Sequence, residues 1–249
     1  MKPYKLIALL AIVSAFGCKK PDPEPLTGTI TFRINANWDG ENLELGEVYE
    51  DVLGHRLFVE NFKTYLSEFK MKRNGGADTL LNLVYLADFA GTNSFRVTVP
   101  PGDYSDLKFN LGVPEAYNKD TDPSVYANDH PLSVTGSEGM FWEWNVGYIF
   151  TKFDGKVDTT GVEGAPLLGP YAFHCGEDTL FRAHSFNTIS FHLDECTNKT
   201  VYIDFDASRF LYSETDTIDL KTEYLTHTSG NLDLATRFVD MVNAAFTVE

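Results

Sequence analysis

TITFRINA, residues 29–36, sets Ile30, Phe32 and Ile34 on one side of an extended chain and Thr31, Arg33 and Asn35 on the other. Successive side chains of a strand point to opposite faces, so this pattern means one buried face and one wet face. The pattern recurs in NSFRVTVP (93–100), with Phe95, Val97 and Val99, and in DLKFNLGV (106–113), with Leu107, Phe109 and Leu111. It returns in TISFHLDE (188–195), with Ile189, Phe191 and Leu193, and in TVYIDFDA (200–207), with Val201, Ile203 and Phe205. Turn clusters lie between such runs: Asn74-Gly75-Gly76, Pro100-Pro101-Gly102-Asp103 and Asp154-Gly155. Short alternating strands with Gly- and Pro-containing turns predict a mainly β fold, an antiparallel β-sandwich. SGNLDLATRFVDMVNAAF (229–246) departs from the pattern, with Leu234, Phe238, Met241, Val242 and Phe246 at helical spacing and Ser229 or Asn231 as a cap. It predicts a short C-terminal helix packed on the sheets. FVENFKTYLSEFKM (58–71) fits a strand or a helix by periodicity alone.

The N-terminal segment reads differently. Lys2 and Lys5 precede an apolar stretch of eleven residues, Leu6–Phe16, too short to span a bilayer as a helix. It runs into SAFGC (14–18), which resembles a bacterial lipoprotein signal and implies cleavage before Cys18 with lipidation of its thiol and new amino terminus. The alternative is a plain signal peptide with an incidental cysteine. KKPDPEP (19–25) follows, and its alternating prolines favour an extended tether. The organisation expected is a signal peptide over 1–17, a lipidated cysteine and tether over 18–27, and one domain over 28–249. Such a chain is expected in a bacterial cell envelope, held to a membrane by its lipid and facing the periplasm or the cell surface. Removing residues 1–17 takes away two lysines and no acids, so the formal charge moves from −16 to −18. That balance disfavours nucleic acid and anionic membrane surfaces, which require Lys and Arg to neutralise phosphates.

No nucleophile elbow, phosphate-cradling Gly-rich loop, HExxH or CxxC occurs in the chain. Acidic residues are scattered without local support for a glycosidase-type pair. The reading is therefore non-enzymatic, with a hydrolase as a distant third. The six histidines are His55, His130, His174, His184, His192 and His227, none paired as HxH or HxxxH. His174, His184 and His192 lie close enough in sequence to meet on neighbouring strands. His174, at a strand end in YAFHCG (171–176), is the strongest ligand candidate, since imidazole with carboxylate or amide oxygen suits Cu(II) or Zn(II). Cys175 and Cys196 form an even pair across a hairpin-sized segment, which suits a disulfide in an exported protein. Two free thiols, or a thiolate ligand beside His174, are the alternatives. GMFWEWNVGYIF (139–150) reads as one aromatic strand, with Trp142, Trp144, Val146, Tyr148 and Phe150 on one face.

Four stretches in this order, TYLSEFKM (64–71), VPPGDYSDLKFNLGVP (99–114), GMFWEWNVGYIFTKFDGK (139–156) and YAFHCG (171–176), resemble the MbnP-like family of bacterial envelope proteins. Its pattern is a YLS strand, a VPxGxY turn leading to an IGVP or IGVD strand, a MxWxWxxGY run and an FHxG motif. The likeness runs from Thr29 to Phe246. It implies copper binding in the periplasm or at the outer surface and, in some members, partnership with a di-haem peroxidase and a tryptophan oxidised to kynurenine. Carried over, the FHxG histidine is His174 and the tryptophans are Trp142 and Trp144, so the implied copper ligands are His174 and Trp144 or its oxidised product. Two departures stand against this. RINANWDGENL (33–43) has Asn35 and Asn37 where copper-binding relatives carry a histidine, and GVPEAYNKD (112–120) has Asn118 and Lys119 where they carry an Asn-His pair; His130 and His227 are the histidines left to substitute, without a local motif. The competing reading is a metal-free binding or surface-assembly lipoprotein that keeps the fold.

Overall fold

A computed structural model describes residues 26–119, 121–142 and 147–249. The signal, Cys18, the tether as far as residue 25, and Trp144 lie outside the described residues. The smaller of two sheets is built around β1 (Gly28–Trp38), whose alternation keeps Ile30, Phe32 and Ile34 almost fully buried. A short β2 (Glu41–Asn42) folds back on the end of β1. The larger sheet is built around β4 (Arg56–Arg73), which follows the short β3 (Val48–Glu50). β5 (Asp78–Asp88) continues along the same edge of β4 as β3. The chain then crosses to the smaller sheet as β6 (Asn93–Val99), antiparallel to β1, and returns to the larger one as β7 (Gly102–Leu111) against the second half of β4.

After β7 come the single helical turn α1 (Glu115–Asn118) and a long crossing segment. β8 (Phe141–Trp142) pairs with the start of β9 (Gly147–Val157), and β9 lies against the first half of β4. β10 (Gly169–Gly176) adds to β9, while β11 (Arg182–Leu193) lies at the far end of the sheet against β7. β12 (Asn198–Asp206) joins β1, β13 (Leu225–Thr226) joins β10, α2 (Leu232–Ala244) packs across the end, and β14 (Phe246–Val248) closes on β12. The fold is mainly β, as expected, with the C-terminal helix in place and its cap supplied by Asn231, whose Oδ1 accepts the Leu234 N–H at 3.2 Å. It differs from a purely antiparallel sandwich in two pairings, β1 with β12 and β10 with β13, which are parallel. The chain enters β12 from the edge of the other sheet, so no hairpin forces it to oppose β1. Among the described residues no helix is long and apolar enough to cross a membrane.

The ambiguous segment 58–71 is strand, and its hidden periodicity has a physical cause. The buried positions run Leu57 and Val59, shift phase to Phe62, Thr64 and Leu66, and shift back to Phe69 and Met71. Register breaks in the pairings of β4 fall at both phase changes, and Glu68 takes a left-handed backbone with φ +50°. β-Bulges insert one unpaired residue and so reset which face a side chain takes. Phe62 lies at the centre of the core: its ring stacks on Phe89 at 4.2 Å and meets Phe153, Phe205 and Phe210 edge-on. These partners come from both sheets and their connections, so this one ring joins the layers.

The outer face of the larger sheet is covered as well. Tyr65 and Tyr148 meet edge-to-face there at 5.7 Å, and their hydroxyls donate to the Pro131 and Leu132 carbonyls of the crossing segment. At the crossing between sheets Tyr104 donates to the Pro100 carbonyl at 2.6 Å. Gly102 in the same turn has φ +149°, and a Cβ there would stand 2.9 Å from Asn74 Oδ1. The run 139–150 is not one strand but two antiparallel ones. Phe141 pairs with Tyr148 and Trp142 with Gly147 in antiparallel register.

The expected disulfide is also corrected. Cys175 and Cys196 are free thiols, the first buried and the second exposed. The segment between them is no hairpin: β10 joins the larger sheet through β9 at the first half of β4, and β11 joins it through β7 at the second half. Cys175 faces the core from β10, whereas Cys196 sits in the turn into β12 with φ +57°.

Truncating the central ring tests the packing. Phe62→Ala is expected to lower unfolding free energy by roughly 3–5 kcal/mol in urea titration. A second test uses His184, whose ring on β11 lies against Phe109, Phe186 and Phe246. Burial holds its pKa below the ordinary imidazole value. The unfolded chain therefore takes up this proton first as pH falls, and stability is lost below an unfolded-state pKa of about 6.5. His184→Phe should show a smaller fall in urea midpoint between neutral and mildly acidic buffer than the parent.

Candidate functional site

β10 reads PYAFHCG, and its pleat sends Tyr171, Phe173 and Cys175 into the core and His174 to the opposite face. In register with His174 on β9 is Lys152, and Asp154 lies two residues along on the same face. The Asp154 carboxylate accepts from His174 Nε2 at 2.8 Å, with their side chains 16% and 20% exposed. A carboxylate on one ring nitrogen fixes the tautomer, so the proton sits on Nε2 and Nδ1 keeps its lone pair. Lys152 Nζ stands 3.7 Å from the other Asp154 oxygen.

The second imidazole arrives from the other side of β10. β13 runs parallel to β10 with Leu225 beside Ala172 and Thr226 beside Phe173, and this alignment carries the next residue, His227, level with His174. The two rings stack at 4.8 Å between centroids and 4° between planes. Thr228 pins the backbone there: its hydroxyl donates to the His174 carbonyl at 3.2 Å and accepts the Gly176 N–H at 2.9 Å. Loss of hydration, followed by repulsion from His174, holds the His227 pKa below the ordinary imidazole value, while Asp154 pulls the other way. His227 is thus neutral near pH 7 and offers a lone pair.

Imidazole nitrogens beside an orienting carboxylate match copper in kind, since that metal takes imidazole readily and its histidine ligands are commonly held from behind by carboxylates. Among the described residues no three His, Cys, Asp or Glu side chains are arranged to hold a metal. Asp154 is engaged with His174, and the two imidazole planes are parallel, so their in-plane lone pairs do not converge on one point.

The tryptophan hairpin adjoins this strand. Gly176 pairs with Ile149, and a Cβ on Gly176 would fall 2.3 Å from the Tyr148 carbonyl and 2.9 Å from Trp142 Cζ3. The final glycine of FHCG therefore leaves room for the hairpin, and the two motifs form one packing unit. Trp142 is 6% exposed and belongs to the core.

The amide positions where imidazoles were expected are occupied structurally. Asn35 donates to Asp204 Oδ1 at 2.8 Å, and Asn37 Oδ1 accepts the Gly40 N–H. Asn118, 2% exposed, donates to Asp178 Oδ1 at 2.8 Å and accepts the Tyr148 N–H at 2.9 Å, while Lys119 is ion-paired with Asp178. His184 and His192 lie on β11, across the sheet from His174, so the three do not assemble. His130 stacks on Tyr126 in the crossing segment, and His55 stands between Asp51 and Asp219. Sequence reasoning singled out His174 and kept His130 and His227 as substitutes, but missed Asp154 as the partner of His174 and gave His227 no neighbour. A two-residue strand carries no period to read.

A family model described as MbnP matches residues 27–230. Among solved structures, MbnP from Methylosinus trichosporium is similar at a TM-score of 0.51 and 14% identity, over 89% of this chain and 98% of that one. At that identity the likeness speaks for the fold. Comparison with curated protein sequences gives no match.

The glycine at the junction gives a direct test. Gly176→Ala should destabilise the protein by about 1–3 kcal/mol or more, because the added methyl meets backbone and ring atoms rather than a flexible side-chain end. Urea unfolding followed by tryptophan emission reads both the stability loss and the displacement of Trp142.

Proposed function

The chain belongs to the MbnP family, and from that premise we propose that it is a membrane-anchored envelope lipoprotein, without catalytic activity of its own, that holds copper through His174 together with Trp144 or its oxidised product. One observation carries the reading: His174 is fixed by Asp154 through Nε2, keeps Nδ1 as a donor, and stands two residues from the glycine that packs under the tryptophan hairpin. Bound copper would supply a redox-active, Lewis-acidic centre. The chain's own part is to hold the His174 tautomer, to keep the inner side of the strand dry through Phe173 and Cys175, and to present the imidazole at a partly open face. Kynurenine offers an amine and a carbonyl that an indole lacks, which is the chemical sense of an oxidised tryptophan as a ligand. Lipidation at Cys18 would tether the domain to a membrane by burial of acyl chains. A di-haem peroxidase-like protein is the partner this reading expects.

A second reading has its own support. The Asn118–Asp178–Lys119 network and the hydrogen-bonded Asn35 and Asn37 occupy the positions of the missing imidazoles. These side chains favour a family member that keeps the fold as a binding or surface-assembly module without metal. Native mass spectrometry of the mature protein with and without added copper decides between the two. A copper adduct lost in His174→Ala, together with the mass change of kynurenine formation on a tryptophan, is the outcome expected. Absence of an adduct at micromolar copper would sink the copper reading and leave the metal-free module.

A further inference from the structure

We infer that β5 accepts an extended segment of another protein as an added strand, and that this segment carries lysine or arginine at alternate positions. Nothing in the inference depends on a metal at His174. From Thr79 to Ala87 the strand holds no charged residue, no proline and no glycine, and Leu80 is half exposed. Outer strands are ordinarily blunted by such residues or by bulges, because their free main-chain groups are a template for another chain. β11, at the far end of the sheet, is guarded in this way by Arg182, His192 and a break in register. β5 has its charges at its two ends alone, and its register break lies outside Asn82–Asp88. The Asp88 N–H donates to Asn93 Oδ1 at 2.9 Å, and the Asp88 carbonyl accepts from Asn93 Nδ2 at 3.0 Å. Both main-chain groups of Asp88 therefore point away from β4, into an amide that imitates the first rung of a further strand. Residues two apart in a strand turn these groups the same way, so those of Leu86 and Val84 face the same side. Among the described residues no strand lies along that side.

The occupant is set by a groove of about 560 Å³ beside this edge. Asp88, Leu86 and Val84 stand opposite Lys63, Tyr65 and Ser67 of β4, so all six share the outer face. Val84 and Leu86 give the groove an apolar floor, and the crossing segment supplies its other wall. The rim is acidic, with Asp88, Asp129 and Glu138. Lys63 Nζ already sits among them, 2.7 Å from Asp88 and 2.9 Å from Glu138, and three carboxylates against this one ammonium leave the rim negative. A strand added to β5 sends every second side chain to the outer face. There the methylenes of a lysine or arginine lie on Val84 and Leu86 while its charge reaches the rim. A second copy of this chain fits worse, because antiparallel pairing of β5 with itself sets the Asp78 end of each strand against the Asp88 end of the other.

The test uses the mature protein and three synthetic peptides: an alternating Thr-Lys sequence, an alternating Thr-Glu sequence, and the Thr-Lys sequence with every amide N-methylated. Fluorescence anisotropy reads affinity, and amide hydrogen exchange reads where the peptide lies. The variant is Asp129→Lys, at an exposed position, with urea unfolding to verify its stability. The expected result is that the Thr-Lys peptide binds and slows exchange at Val84 and Leu86, that the other two peptides do not bind, and that Asp129→Lys weakens binding by about tenfold. Equal binding of the N-methylated peptide would mean that the groove takes a cation without strand pairing, and would overturn the inference. Equal binding of the Thr-Glu peptide, or none by any peptide, would overturn it too. Protection of Val84 and Leu86 that rises with protein concentration in the absence of peptide would replace the foreign segment by a second copy of this chain.

Discussion

Strand β4 offers two edges, and four other strands draw on them. β3 and β5 share one edge, and β9 and β7 divide the other between its two halves, so β10 and β11 depend on it at one remove and β13 at two. A straight strand of this length would drift out of phase with the smaller sheet, because sheets twist and their faces turn away from one another. The bulges near Glu60 and Glu68 re-aim the side chains, and Phe62 and Phe69 then both point at β1, β6 and β12. The aromatic core follows from that correction. Phe62 reaches Phe205, and Phe69 reaches Phe32, Phe95 and Phe109, only because the strand changes phase between them.

The same phase changes decide what could be read in advance. β1, β12 and the Leu107–Leu111 part of β7 are legible because each keeps one uninterrupted face on the core, and α2 is legible because Leu234, Phe238, Met241 and Val242 line one side of it. β4 was ambiguous because its period is broken twice. By sequence β8 and β9 read as a single strand, although Phe141 pairs with Tyr148 and Trp142 with Gly147. In the sequence Glu143 and Asn145 alternate with Trp142, Trp144 and Val146, so the run continues a strand period straight through. The pairing of Cys175 with Cys196 fails for want of topology: sequence spacing does not say that β10 and β11 attach to opposite halves of β4. His227 was out of reach for the same reason, since its neighbour is set by a two-residue parallel bridge.

Family motifs in this chain are, first, packing devices. The tyrosine of VPPGDY closes the crossing between sheets through Pro100, the tyrosine of the WxWxxGY run latches the crossing segment through Leu132, and the glycine of FHCG admits the hairpin beside Trp142. These residues can persist whatever ion the protein holds, because removing them would disturb the core. Residues concerned with an ion are under no such constraint, and Asn35, Asn37, Asn118 and Lys119 have been taken into hydrogen bonds and ion pairs of ordinary structural kind. A resemblance carried by the first group therefore speaks for architecture, and the chemistry has to be judged from His174 and its immediate neighbours.

The parallel pairing of β1 with β12 has a consequence for how the chain folds. Asn35 meets Asp204, 169 residues further along, so one side of the first strand cannot be completed until most of the polypeptide is available. β6 can cover the opposite side of β1 early, at much shorter separation. Closing a loop of the longer span costs chain entropy before any contact repays it, and folds dominated by such contacts form slowly. In the interval β1 presents a row of open backbone donors and acceptors with Ile30, Phe32 and Ile34 beside them, which is a template for association with another chain. The strand that anchors the finished sandwich is thus the one most in need of shielding while the rest is being made.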